Sequence, residues 1–169
     1  MPGSEVTLSQ MLERREARAQ SQKKFLGWHK SPLVSFTMNI PGPVKTNELI
    51  RRAFDIGQIL LLEGLSSLNA TILAAEEIHE DTGDELLLSA GDVSAAALKE
   101  LAVGIETSSP LGRLFDIDVI GTDGGKLSRS DFRKCLICGK QAQECARSRA
   151  HTVEELQSAV TALLTENLR

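Results

Sequence analysis

The sequence predicts an α+β fold, a single domain built on a mainly antiparallel sheet with a helix added at each end. Three observations predict it. Between Leu33 and Ile120, β-rich and helical segments follow one another as strand, helix, strand, strand, helix, strand. The middle two strands are separated only by Asp81-Thr82-Gly83-Asp84, a turn signal that pairs them as an antiparallel hairpin. With 169 residues, of which 41% are hydrophobic, the chain can bury one core without covalent staples.

Taken in order, residues 5–26 read as a mostly polar helix with a narrow apolar stripe through Leu8, Met11, Leu12, Ala19 and Phe25. It forms a helical extension over residues 1–30, and its run ERREARAQSQKK has the composition of a solvated face. Leu33 to Ile40 is β-rich and stops at Pro41-Gly42-Pro43, because proline cannot continue a central strand. A helix follows from about Thr46 as N-cap, with Leu49, Ile50, Ala53, Phe54, Gly57, Leu60 and Leu61 on one face. Asn69–Glu80 and Glu85–Ala90 form the hairpin. Asp92 is placed to cap a helix through Ser94–Val103, and Gly112–Ile120 is the next strand. This β-α-β-β-α-β order is that of ferredoxin-like folds. A short strand near Lys126–Arg129, a Cys/Arg/His segment over 135–151 and a final helix, Val153–Leu168, complete the domain. Thr152 with Glu155 gives that last helix a capping box.

Composition removes several functions. There is no Tyr and a single Trp, which argues against a base-stacking nucleic-acid surface built on aromatic platforms. The longest apolar stretch, Ile56 to Leu65, is broken by Gln58 and Glu63, and the N-terminal residues lack the apolar core of a secretion signal. An odd number of cysteines speaks against an extracellular disulfide framework. The expectation is a cytoplasmic protein without membrane or nucleic-acid partner. Net charge is −4, yet Leu111–His151 carries eight Lys/Arg against five Asp/Glu. A basic segment in an acidic chain suits a compact anionic ligand.

Chemistry concentrates in that segment. Strand residues alternate faces, so Asp116 and Asp118 share one face while Phe115, Ile117 and Val119 take the other. A carboxylate pair backed by Arg113, Arg129, Arg133, Arg147 and Arg149 is what Mg²⁺ and a polyphosphate require. The bland alternative is an exposed strand face with two solvated aspartates, although Asp is disfavoured in strands. Cys135, Cys138, Cys145 and His151 are compatible with a tetrahedral Cys₃His zinc site; the alternative is a set of small residues packing a loop onto the sheet. The Asn39–Lys45 turn, NIPGPVK, can offer backbone N–H groups and the Lys45 cation to phosphate, or serve only as a rigid turn.

These residues carry a resemblance. NIPGPVK (39–45), Thr82-Gly83, PLGRLFDIDVI (110–120), Ser128-Arg129, RKCLIC (133–138) and CARSR-x-H (145–151), with LERREARAQSQKKFL (12–26), resemble the apo-citrate lyase phosphoribosyl-dephospho-CoA transferase family, also called holo-citrate lyase synthase. The resemblance implies a bacterial enzyme with a single nucleotidyltransferase-type domain over residues 1–169. Its donor is 2′-(5″-triphosphoribosyl)-3′-dephospho-CoA. Its acceptor is a serine on the acyl carrier subunit of citrate lyase, and pyrophosphate leaves. On that basis Asp116 and Asp118 bind Mg²⁺, and Arg113, Arg129 and Arg133 neutralise the departing pyrophosphate, helped by Arg147, Arg149 and Lys45. His151 or an aspartate is the candidate base. The competing class is a non-enzymatic, zinc-containing module whose basic segment grips an acidic carrier protein.

Overall fold

Leu33–Met38, the first strand β1, is buried on both faces over its first four residues, as a strand in the middle of a sheet is. The computed structural model describes residues 1–168. After a helix α1 (Leu8–His29) and β1 come α2 (Glu48–Ser67), β2 (Thr71–Glu80), β3 (Gly83–Gly91) and α3 (Ala95–Ser108). A turn of 3₁₀ helix, Gly112–Leu114, leads into β4 (Phe115–Ile120), and α4 (Ala142–Ser148) and α5 (Val153–Asn167) follow. The sheet runs β2-β3-β1-β4, and every neighbouring pair is antiparallel. Mixed α+β architecture around a four-stranded antiparallel sheet is therefore what the sequence adopts.

The pleat divides the sheet residues between two unequal layers. Val34, Phe36, Leu86, Leu88, Phe115, Ile117 and Val119 pack against α2, α3 and α5 in the main core. Phe36 stacks on Phe54 with ring centroids 4.7 Å apart and meets Phe115 edge-on at 5.5 Å. Gly57 leaves room for that stack, since a Cβ there would lie 2.5 Å from Phe36.

On the opposite face α1 covers only a small apolar cluster of Phe25, Leu33, Leu87 and Ile120. Of the expected apolar stripe along α1, Phe25 is buried in this cluster, but Leu8 is 75% and Leu12 53% exposed. The sheet face below presents Ser35, Glu76 and Glu85, so the helix docks through polar partners. Arg14 and Arg18 reach Glu85 at 3.1 and 2.8 Å, Ser21 donates to Glu76 at 2.8 Å, and Gln22 donates to Ser35 at 3.2 Å.

Several element ends differ from expectation, each for a local reason. Asn47, rather than Thr46, caps α2, accepting the Ile50 N–H at 3.0 Å, while the Thr46 hydroxyl donates to Asp84. Ser94 caps α3 through the Ala97 N–H, and Asp92 instead accepts the Thr71 hydroxyl at 2.6 Å. The 3₁₀ turn displaces the start of β4 from Gly112 to Phe115. The strand expected at Lys126–Arg129 amounts to one bridge, Ile120 with Lys126. Residues 142–148 form a helix within the cysteine segment. The Thr152–Glu155 capping box opens α5 as expected. Among the described residues, no helix is long and apolar enough to cross a membrane.

The junction between α3 and β4 holds the closest approach of backbone to a glycine among the described residues. α3 continues past Val103 to Ser108, and a Cβ on Gly112 would lie 2.4 Å from the Glu106 carbonyl oxygen. That neighbour is backbone and cannot rotate away. Gly112→Ala is expected to destabilise the protein by at least ~2 kcal/mol, the scale of overpacking a rigid site. A urea midpoint unchanged from wild type would show that the junction is looser than described.

Candidate active site

β4 is an edge strand, and its outer edge is completed by side chains and a loop instead of another strand. The Ile117 N–H donates to Glu106 Oε1 at 2.8 Å, the Phe115 carbonyl accepts from the Arg133 guanidinium, and the Val119 carbonyl accepts the Leu127 N–H at 2.9 Å. Glu106 is buried, and its second oxygen accepts from Arg129 at 2.7 Å while Arg133 lies 3.6 Å from the first. Burial, with repulsion from Asp116, raises its pKa against the Ile117 N–H and the two guanidiniums that pull it down. Sequence reasoning missed Glu106. The available signal was a carboxylate adjoining the buried positions Leu98, Ala102 and Ile105 of α3.

Clamped in this way, β4 presents Asp116 and Asp118 on the face opposite the main core, opposite Thr37 and Ser35 of β1 in the register. Both aspartates line a cavity of about 580 Å³ that also takes in Lys99, Glu106, Arg129 and Arg133. Lys126 reaches Asp118 at 2.5 Å, and Arg133 lies 3.7 Å from Asp116. Although half of its side chain is exposed, the Asp116 pKa is raised, first by partial desolvation against its neighbours and then by repulsion from Asp118, against the pull of Arg133 and Lys126. Two hard oxygen donors repelling each other on one face suit a divalent cation such as Mg²⁺. Asp116 also borders a smaller cavity of about 200 Å³ with Lys45 and Arg18. There the Lys45 ammonium donates to the Ile40 carbonyl at 2.7 Å, and burial lowers its pKa.

The remaining predicted residues gather elsewhere. Cys135, Cys138, Cys145 and His151 bring their ligand atoms within 4.8 Å of one another, a cluster able to bind a metal. Tetrahedral zinc with sulfur and nitrogen ligands needs edges of roughly 3.5–3.8 Å, a little shorter than the widest separation in this cluster. The Cys138 and Cys145 sulfurs are 3.5 Å apart, and His151 Nε2 is 3.3 Å from Cys138 Sγ. Gly139, at φ +70°, turns the chain so that the Lys140 N–H donates to Cys138 Sγ. That bond, with His151 next, pulls the Cys138 pKa down to about 6, while sharing a proton with Cys138 pushes Cys145 up to about 11. Arg113 and Arg149 line a second cavity beside this cluster. His151 belongs there too, and Arg147 is exposed on α4, lining neither large cavity.

The raised pKa of Asp116 has a definite sign in stability. The folded state holds this proton more tightly than the unfolded state, whose value is about 3.9. Stability therefore falls as pH rises through the interval between the two, and the ionised carboxylate is a burden at neutral pH. Asp116→Asn should raise the Tm of the metal-free protein at pH 7, on the order of 1–2 °C for a group this exposed. The gain should fade as pH falls toward 4. Calorimetry showing a loss at pH 7, or a gain independent of pH, would contradict this reading of the pair.

Comparison with known proteins follows the same residues. A family model described as apo-citrate lyase phosphoribosyl-dephospho-CoA transferase matches residues 6–167. The chain is 39% identical over 163 residues to a probable apo-citrate lyase phosphoribosyl-dephospho-CoA transferase of Vibrio cholerae serotype O1 (strain M66-2), covering 94% of this chain and 92% of the relative. Relatives named apo-citrate lyase phosphoribosyl-dephospho-CoA transferase from Citrobacter koseri and Escherichia coli O1:K1 are 37% and 36% identical, over 94% and 95% of this chain and 88% and 90% of their own lengths. A match of this extent leaves one assignment: the chain belongs to the apo-citrate lyase phosphoribosyl-dephospho-CoA transferase family.

Proposed function

We propose that this protein transfers the phosphoribosyl-dephospho-CoA group from 2′-(5″-triphosphoribosyl)-3′-dephospho-CoA to a serine of the citrate lyase acyl carrier subunit. The reaction is nucleotidyl transfer: the serine oxygen attacks the α-phosphorus of the triphosphate, a phosphodiester forms, and pyrophosphate leaves. Beyond family membership, the observation that carries this reading is the Asp116–Asp118 pair facing a cavity whose other walls bear Lys99, Arg129 and Arg133. The strand order β2-β3-β1-β4, with α2 and α3 in the same core, supports the ferredoxin-like description of the nucleotidyltransferase-type domain.

Asp116 and Asp118 would hold Mg²⁺, which when bound screens triphosphate charge and acidifies the attacking hydroxyl. The chain's own residues supply the rest. Arg129 and Arg133 share one carboxylate, Glu106, so the cluster keeps a net positive charge beside the cavity where pyrophosphate departs. Lys126 adds a cation on the Asp118 side. A carboxylate oxygen of the pair left free of the metal would be placed to accept the serine proton. His151 lies with the cysteines and is assigned to that cluster instead.

Asp→Asn is nearly isosteric, so Asp116→Asn and Asp118→Asn should fold while mass spectrometry of apo-carrier shows transfer slowed at least ~100-fold. A folded double variant that modifies carrier at near wild-type rate would overturn the mechanism. Metal content with no pyrophosphate release by wild type would favour the non-enzymatic carrier-binding module.

The zinc assignment rests on packing. From Thr122 to Thr152 the buried residues are Cys135 and Cys145 alone, so this stretch has almost no apolar core of its own. Bound zinc would supply the missing cross-link, because metal held only by the folded state adds to stability. Protein purified without chelator should carry about one zinc per chain, and strong chelation should lower its Tm. Metal analysis finding no zinc sinks the assignment.

A further inference from the structure

Two cavities, each of about 580 Å³, meet at Arg133 and Ala142, and their linings differ in chemistry. The first carries Glu106, Asp116, Asp118 and Asp131. The second has no carboxylate in its lining: its apolar wall includes Pro41, Leu114, Leu136 and Leu156, and its cations are Arg113, Arg133 and Arg149. Arg133 is already committed to Glu106 and to the Phe115 carbonyl. Arg113 has no hydrogen-bond or ion-pair partner among the described residues, although it is half-buried on the 3₁₀ turn. A half-buried guanidinium without an anion is costly, and its planar fork fits phosphate oxygens in pairs.

The donor proposed above has two anionic arms on one nucleoside, the 2′-linked triphosphate and the 5′-diphosphate of dephospho-CoA. In the first cavity four carboxylates offset Lys99, Arg129 and Arg133, so a phosphate arm there needs the divalent cation, whereas the second offers arginines and no carboxylate and suits a diphosphate without metal. The faces of adenine are apolar and match the leucine and proline wall, and the volume is ordinary for a nucleotide site. We infer that the Arg113 cavity is the nucleotide compartment, taking adenosine and its 5′-diphosphate, while the reacting triphosphate lies in the carboxylate cavity. Arg133 stands where the two arms diverge. Arg113 is then a binding residue for the stationary part of the donor and does not touch the leaving pyrophosphate. This inference rests on the transferase reading.

Dephospho-CoA, which lacks the triphosphate, separates the compartments. Isothermal titration of the full chain with dephospho-CoA should show binding weakened at least ~10-fold by Arg113→Gln, the scale of losing a charged hydrogen bond. Ala146→Leu, on the exposed surface of α4 where it fills the cavity wall, should also weaken it. The Asp116→Asn/Asp118→Asn double variant should bind within ~2-fold of wild type. No binding to wild type, or binding lost in the aspartate variant and insensitive to both Arg113→Gln and Ala146→Leu, overturns the compartment. Carrier modification is scored separately. If wild type transfers nothing yet holds dephospho-CoA through Arg113, the reaction falls and the compartment stands; if it transfers and dephospho-CoA ignores both changes, the compartment alone falls.

Discussion

The Glu106 carboxylate on the Ile117 N–H is the contact on which the rest of the site depends. β4 has β1 on one side and no strand on the other, so its outer N–H and C=O groups must be met by something else. Glu106 meets one, Arg133 another, and the two guanidiniums compensate the carboxylate that does so. Burial, helped by repulsion from Asp116, holds the Glu106 pKa up against these partners, so the clamp carries a desolvation cost. In return, one carboxylate ties the end of α3, the aspartate-bearing strand and the start of the cysteine segment together. Gly112 lets α3 and β4 come close enough for it.

The other face follows a similar logic with a different carboxylate. Glu85, buried on β3, receives Arg14 and Arg18 and holds α1 across the sheet. Next to it, Asp84 is fully buried and gathers Arg51 at 2.5 Å, His79 at 2.9 Å and the Thr46 hydroxyl at 3.0 Å. Through Thr46, that node fixes the end of the Asn39–Lys45 loop, which places Lys45 beside Asp116 in the smaller cavity. Paired buried carboxylates thus set the geometry around the two less shielded ones that face the large cavity.

What was legible in the sequence was what local geometry dictates. Alternation along a strand put Asp116 and Asp118 on one face, and the spacing of Thr152 and Glu155 gave the start of α5. The Cys135–Cys138 pair follows from a CxxC turn, but the approach of Cys145 and His151 needs α4 and the turn after it. Glu106 was not legible, because its partners Ile117 and Arg129 lie 11 and 23 residues away. The apolar stripe of α1 holds only at Phe25; the rest of the face that packs carries Arg14, Arg18, Ser21 and Gln22. Arg113 stands next to the aspartate strand in sequence, yet the 3₁₀ turn sends it to the neighbouring cavity.

Anomalous diffraction from crystals soaked with Mn²⁺ and pyrophosphate tests the placement of the catalytic metal most directly, since manganese takes magnesium sites and can be located without reference to activity. The expected result is a peak coordinated by both Asp116 and Asp118 on the α1 side of β4, with pyrophosphate oxygens between it and the Arg129–Arg133 cluster. A manganese peak confined to the cysteine cluster, or pyrophosphate bound away from Asp116 with no metal on either aspartate, would contradict it.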